Sequence, residues 1–260
     1  QVFSISGNRP IQGSLGLWDI TSLRGETFSL KLKVFDKAGN VKCDTTSFSF
    51  DNLLEIVHLS TDKSLFSPNG DGVFDEVEIY YEIDEYATVD TKVFKLVKAE
   101  DGSYGLDSVP VRTIVSGLQN LGGMENASWD GRDDSDTVVP DGLYGMAVFA
   151  TDSCGNTKLR WTAVEVDNTP PQTIITYPRP PDPIGNIVEV RGIADDPNFQ
   201  SYLLEAGQGD QPDTWFLISS NTTPVKEDIL GTWNNSGLDG ACTLRLTATD
   251  EVGNKNTTTV

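Results

Sequence analysis

Polar and apolar residues alternate along three stretches of this chain, and the same turn follows each stretch. The copies occupy residues 28–40, 144–156 and 242–254, and each ends in the pattern D-x-x-G-N. Alternation with a period of two predicts antiparallel strands with one buried face. Gly and Asn tolerate positive φ, and an Asp side chain accepts backbone hydrogen bonds in tight turns. We call this element the D-x-x-G-N turn.

The predicted inward positions of the three strands correspond from copy to copy. They are Phe28, Leu30, Leu32 and Val34; Tyr144, Met146, Val148 and Ala150; and Cys242, Leu244, Leu246 and Ala248. A tryptophan precedes each copy, at Trp18, Trp129 and Trp233. Self-similarity of this kind predicts tandem modules. Because these tryptophans recur at matching positions, we expect them to pack in cores rather than to bind sugars.

The whole chain has the composition of an all-β protein. It contains 24 Gly and 13 Pro, and no long segment shows a helical period. We divide it into modules at 1–52, 53–168 and 169–260, joined by short Pro-containing linkers. The first module parallels the C-terminal half of the third, so we expect 1–52 to be the C-terminal part of a module in a longer array.

Two sets of motifs carry a family resemblance. The run V-D-N-T-P-P at 166–171 and the stretch 231–254 resemble immunoglobulin-like repeats of large secreted bacterial proteins. In the middle module, 66–75 and 129–145 are similar to the immunoglobulin-like domain of the flagellar hook-capping protein. The resemblance implies tandem immunoglobulin-like β-sandwich modules in an exported bacterial protein, located outside the cell or on its surface. Hook capping itself is not implied.

Charge narrows the range of partners. The formal net charge is −20 and the isoelectric point is about 4.2. Phosphate binding needs a basic face, so the sequence predicts no nucleic-acid partner. The same charge disfavours an anionic membrane surface, and no segment has the length of a membrane span. The acidity fits either solubility outside the cell or carboxylates that bind calcium.

One loop has the spacing of a calcium site. In residues 67–78, Asn69, Asp71 and Asp75 fall at positions 3, 5 and 9 of an EF-hand-like pattern. These three residues are our predicted metal ligands, and calcium is the predicted ion. The alternative is a tight N-G-D-G turn whose side chains cap their own backbone. A second acidic loop, 130–136, is predicted to be a solvated hairpin tip.

Catalytic chemistry finds little support in the residues. His58 is the single histidine, so every Ser-His-Asp or Cys-His set would have to use it. The three cysteines occupy non-equivalent repeat positions, which predicts no disulfide framework. Cys242 replaces an aromatic residue of its sibling strands, so we expect a small buried hydrophobe there. The sequence predicts that this protein is not an enzyme.

The resulting functional prediction is a non-catalytic stalk, spacer or adhesion scaffold. Its partners would be other domains of the same longer protein, with a surface glycan or protein as a further partner. The alternative is a glycan- or protein-binding accessory module attached to an exported hydrolase. Trp161 and Trp215 do not recur between modules, so an exposed patch around either one would favour that alternative.

Overall fold

A computed structural model describes residues 12–18, 27–51, 53–180 and 184–260. Predictions that fall on residues 1–11, 19–26, 52 and 181–183 lie outside the described residues. All regular structure in the described ranges is β-strand, as the alternation predicts. Within these ranges no helix is long and apolar enough to cross a membrane.

Seventeen strands are described. They are β1 (Thr27–Phe35), β2 (Val41–Ser49), β3 (Ile56–Thr61), β4 (Leu65–Phe66), β5 (Val77–Ile83), β6 (Ala87–Lys98), β7 (Tyr104–Asn120), β8 (Gly123–Trp129), β9 (Gly142–Asp152), β10 (Thr157–Val166), β11 (Gln172–Tyr177), β12 (Ile187–Asp195), β13 (Phe199–Gln208), β14 (Phe216–Asn221), β15 (Val225–Asn234), β16 (Cys242–Asp250) and β17 (Lys255–Thr259).

Strands β3 to β10 form a two-sheet sandwich. One sheet has the order β3-β5-β8, and the other has the order β4-β10-β9-β6-β7. Strand β5 shows the predicted alternation directly, because Val77, Ile79, Tyr81 and Ile83 are all buried. These side chains face Met146 and its inward neighbours of β9 in one hydrophobic core.

Strands β11 to β17 form a second sandwich of seven strands. Its sheets are β11-β12-β15 and β14-β13-β16-β17, so each sheet joins strands that are distant along the chain. This is the sheet division of immunoglobulin-like sandwiches. The preceding sandwich also has a tyrosine corner, in which the Tyr144 hydroxyl donates to the Pro140 carbonyl at 2.7 Å. The predicted fold class, all-β with immunoglobulin-like sandwiches, is confirmed.

The first module is described only in part. Strands β1 and β2 form a hairpin, and Trp18 makes edge-on contacts with Phe28, Phe48 and Phe50. The other predicted inward residues of β1 are at least 41% exposed, namely Leu30, Leu32 and Val34. They differ in this from the inward residues of the two sibling strands. The physical reason is that no second sheet faces this hairpin within the described residues.

The complete sandwiches bury their recurring tryptophans. Trp129 is 1% exposed and Trp233 is 6% exposed, which confirms that they are core residues. Trp129 also contacts the rings of Phe66 and Tyr144. Cys242 is only half-buried, so the expectation of a buried residue is corrected: it lies at the start of β16 and packs against the edge of the core.

The tyrosine corner gives a test of the second module. We expect Tyr144→Phe to lower the free energy of unfolding of this module by about 0.5–1.5 kcal/mol, because the part-buried hydrogen bond from the hydroxyl to the Pro140 carbonyl is lost. Chemical denaturation measures the effect. Tyr202→Phe is the matched variant in the third module, where the hydroxyl donates to the Leu230 carbonyl at 2.6 Å. A loss below about 0.3 kcal/mol in Tyr144→Phe would contradict the assignment.

Candidate functional site at the junction of the second and third modules

The third D-x-x-G-N turn is closed by its own side chains. Asp250 Oδ1 accepts the backbone N–H groups of Val252 and Asn254 at 3.0 and 2.8 Å, and Oδ2 accepts from Asn254 Nδ2 at 2.8 Å. Gly253 has a φ of 94°, which favours glycine. The turns that begin at Asp36 and Asp152 have the same hydrogen bonds.

Asn254 also joins the third module to the second. Its Nδ2 donates to the backbone carbonyl of Asp167 at 2.9 Å. Its Oδ1 accepts from Ser67 Oγ at 2.9 Å and from Asn69 Nδ2 at 2.8 Å. The side chain is 4% exposed, so these bonds are shielded from water. A buried amide that satisfies both its donor and its acceptor fixes the position of its neighbours.

A second asparagine strengthens the contact. Asn198, in the loop between β12 and β13, donates from Nδ2 to Asp167 Oδ2 at 2.8 Å. The carbonyl of Asn198 accepts from the Glu251 N–H at 2.8 Å, which ties this loop to the D-x-x-G-N turn. Asp167, near the end of the second module, therefore accepts hydrogen bonds from two elements of the third module.

The linker between the modules is hydrogen-bonded to the second module. Asp141 Oδ1 accepts from the Asn168 N–H at 2.8 Å, and its Oδ2 accepts from the Thr169 hydroxyl. Pro170 and Pro171 follow, and proline restricts φ. Hydrogen bonds and restricted dihedrals together leave this connection few conformations.

The predicted metal ligands lie together in the loop that faces the third module. Asp75 accepts the N–H groups of Gly70 and Gly72, both at 2.7 Å. Asp71 Oδ1 accepts the Val73 N–H at 2.8 Å, and Asn69 Oδ1 accepts the Asp71 N–H at 2.9 Å. Their oxygens thus cap their own backbone, and Asn69 Nδ2 contacts Asn254. Calcium in this loop stays a prediction.

A different group of oxygens converges at the junction. One carboxylate oxygen from each of Asp167, Asp196 and Asp250 lies within 4.8 Å of the other two. Burial raises the pKa of Asp196 above its usual value, and repulsion from Asp167 and Asp250 raises it further. Burial also raises the pKa of Asp250, and Asp167 adds to this effect. Carboxylate oxygens in this arrangement are of the type that binds hard cations.

The junction before the second module has equivalent groups. Asn156 Nδ2 donates to the Asp51 carbonyl at 3.0 Å, as Asn254 does to Asp167. Oxygens of Asp51, Glu85 and Asp152 also lie within 4.8 Å of one another. Burial raises the pKa of Glu85, and the charges of Asp51 and Asp152 raise it further. The same combination of turn and carboxylates therefore occurs twice.

Sequence reasoning missed the residues that build these junctions. The recurrence of Asp-Asn at module ends and of the D-x-x-G-N turn was the available signal for Asp167 and Asn254. Asp196 and Asn198 belong to a loop with no recurring motif. In the second acidic loop, Asp133 accepts the N–H groups of Ser135 and Thr137, as expected of a hairpin tip.

The residues considered for catalysis and ligand binding lie elsewhere. His58 is exposed, and its Nε2 lies 2.9 Å from Ser60 Oγ. Trp161 is half-buried and packs over Gly145. The Arg245 guanidinium covers one face of Trp215, 4.0 Å from the ring centroid. The structure does not bring these three side chains together with the junction groups described above.

Comparison with known protein families finds no match, and no curated protein matches the chain. Many solved structures are similar to this chain. A tetra-tandem repeat from the extending region of a large adhesion protein has 17% identity and a TM-score of 0.34, over 93% of this chain and 57% of that one. The chain therefore spans little more than half of that structure's length.

Two further structures contain paired domains or a chaperone. DIP-gamma IG1+IG2 has 9% identity and a TM-score of 0.36, over 80% of this chain and 95% of that one. The periplasmic chaperone SfaE has 11% identity and a TM-score of 0.29, over 78% of this chain and 98% of that one. At these scores, the immunoglobulin-like architecture rests on this chain's own strand order.

Asn254 gives a test of the junction. We expect Asn254→Ala to lower the free energy of unfolding of the third module by about 1–3 kcal/mol, because buried hydrogen bonds are lost on both sides of the boundary. Asn40→Ala is the matched control, because Asn40 makes the same bond within its turn but is exposed. Equal effects of the two substitutions in denaturation experiments would show that the inter-module bonds contribute nothing.

Asp75 separates the two interpretations of the acidic loop. We expect Asp75→Asn to destabilise the second module by about 0.5–1.5 kcal/mol in EDTA, because an amide nitrogen would replace one of the two oxygens that accept the N–H groups of Gly70 and Gly72. Thermal melts in EDTA and in millimolar calcium measure this. Asp71→Asn is the control on the same loop. A loss that appeared only with calcium present would instead support the predicted ion.

Proposed function

We propose that this chain is a non-catalytic spacer segment whose modules are held in a set orientation by their junctions. The observation that carries the proposal is Asn254, which is buried between two modules and bonded to the backbone or side chains of both. A connection that served only as a tether would not need this arrangement. Spacing and orientation are properties of the junction, not of any single module.

The spacer would belong to an exported bacterial protein, outside the cell or on its surface. The acidic composition and the family resemblance of the repeats support this location. Its partners would be the neighbouring domains of the same protein. The absence of enzymatic activity is part of the proposal, and it is supported by the single histidine, His58, which every Ser-His-Asp or Cys-His set would have to use.

One observation favours a second function, the binding of a glycan or protein. An apolar groove of about 240 Å³ lies at one end of the third module and is lined by Phe216, Trp233 and Leu238. Phe216 is 62% exposed, which is unusual for a large aromatic side chain. A chain that carried this groove on a spacer would act as an accessory module. Trp161 and Trp215, in contrast, are each covered by their own module.

Calcium is a further proposal for this spacer. The loop of Asn69, Asp71 and Asp75 faces the third module, so an ion bound there would act on the junction. Binding to the folded state raises the melting temperature by mass action. We expect millimolar calcium, but not magnesium, to raise the unfolding temperature measured in EDTA. Equal melting curves in EDTA and in both ions would contradict the proposal.

Distance measurements between modules test the spacer. Spin labels at Met124→Cys and Leu203→Cys would lie on exposed strand positions of the two sandwiches, which are 61% and 45% exposed. The native cysteines would be replaced, Cys43 and Cys154 by serine and Cys242 by alanine. We expect a narrow distance distribution that broadens in Asn254→Ala. A distribution in the unsubstituted chain that is as broad as that of Asn254→Ala would contradict the proposed function.

A further inference from the structure

The carboxylates at the junction come from both sides of the module boundary. Asp167 closes the second module, whereas Asp196 and Asp250 belong to the third. Asp250 is 0% exposed and Asp167 is 7% exposed, so little water separates their charges. Like charges at this separation repel more strongly in a buried site than in water. Docking of the modules therefore brings together groups that repel one another when ionised.

The surroundings of this cluster offer it little compensating charge. Neutral amide groups of Asn198 and Asn254 contact it, and the ammonium group of Lys226 contacts Asp195 at 3.3 Å instead. Two further carboxylates lie beside the cluster: Glu165 of β10, which accepts from Asn198, and Asp195 of β12, whose charge acts on Asp196. Lys226 of β15 is 77% exposed, and the side chain of Glu251 in the D-x-x-G-N turn is also exposed.

We propose that the charge on Asp167, Asp196 and Asp250 controls how firmly the second and third modules dock, so that the junction stiffens as the pH falls. One proton held by Asp196 or Asp250 removes a charge and supplies an O–H donor. The modules are then joined by an added hydrogen bond instead of separated by repulsion. This inference rests on the proposed spacer function and adds its regulation.

The direction of the pH effect follows from linkage. Burial and neighbouring carboxylates raise the pKa of Asp196 above 3.8, and burial raises the pKa of Asp250. The docked state therefore binds protons more tightly than the undocked state, in which water reaches these groups. The stabilisation of the docked state by proton binding is complete below the ordinary aspartate pKa of 3.8, and it is lost as the pH rises through the raised pKa values.

Overall stability is not a clean measure of this effect. In the exposed first turn, the hydrogen bond from Asn40 lowers the pKa of Asp36. At Asp152 burial raises the pKa, but hydrogen bonds from Asn156 outweigh burial and lower it. These groups lose stability on acidification, which is the opposite direction. The readout must therefore be the relative position of the two modules.

The preceding junction has a similar arrangement of carboxylates but a different electrostatic balance. There, burial and repulsion from Asp51 and Asp152 raise the pKa of Glu85. Asp51 closes the first module, whereas Glu85 and Asp152 belong to the second. At the later boundary, Asp167 likewise closes one module, and Asp196 and Asp250 belong to the next. At the earlier boundary, however, the pKa of Asp152 is lowered by its hydrogen bonds, whereas that of its counterpart Asp250 is raised, so the pH response is assigned to the later boundary only.

The experiment uses the full chain with spin labels at Met124→Cys and Leu203→Cys, in EDTA, at about pH 7.5 and about pH 3.8. The key variant is Asp196→Asn, which removes one charge but keeps the Oδ1 acceptor for the Asn198 N–H. Asp213→Asn is the control, because it removes an exposed charge on a loop between β13 and β14.

We expect the distance distribution of the parent chain, and of Asp213→Asn, to narrow from the higher to the lower pH. Asp196→Asn should already be narrow at the higher pH and change little. If Asp196→Asn follows the parent at both pH values, or if the parent is equally narrow at both, the inference is overturned but the spacer stands. Broad distributions in every variant at both pH values overturn the spacer as well.

The same distance measurement with calcium added at about pH 7.5 shows whether protons or calcium ions neutralise the junction carboxylates. Narrowing that requires calcium, and that acidification in EDTA does not reproduce, overturns the proton as the agent. Narrowing by acid in EDTA, with or without an added effect of calcium, supports it.

Discussion

The buried side chain of Asn254 is the interaction on which the arrangement of this protein depends. One amide group closes the turn of its own module, accepts two hydrogen bonds from a loop of the preceding module and donates to the Asp167 carbonyl, directly after that module's last strand. Each of these bonds needs the others, because water cannot replace a lost partner at a site that is 4% exposed. Local turn geometry is thereby coupled to the orientation of whole modules.

The junction balances attraction against repulsion. Hydrogen bonds from neutral amide groups and a proline linker that is hydrogen-bonded to the second module hold the modules together. The repulsion between three carboxylates from both sides of the boundary acts against this docking. Such an interface is more polar than a hydrophobic core, so conditions that alter charge act on it first. The sandwiches behave differently, because Tyr81, Met146 and Leu246 are fully buried in apolar surroundings. Stability of a module and stiffness of the array therefore have separate physical origins.

The sequence predicts the sandwiches well because their determinants are local. Alternation along β5, β9 and β16 identifies strands and their buried faces, and the D-x-x-G-N pattern identifies the turn. The junction is less accessible, because it depends on which loops meet when two modules stack. Asp196 and Asn198 lie in a loop without a repeat, and no pattern in the sequence indicates that the amide group of Asn69 contacts Asn254. For β1, alternation alone did not reveal that Leu32 would be 44% exposed.

The central claim is that the second and third modules keep one orientation in solution. Residual dipolar couplings of backbone amides in both modules, measured in a weakly aligning medium, test this most directly. The account predicts that a single alignment tensor fits the couplings of both sandwiches, and that Asn254→Ala requires two. If the unsubstituted chain already required two tensors of different magnitude, the modules would reorient independently, and the junction would not set the geometry of the array.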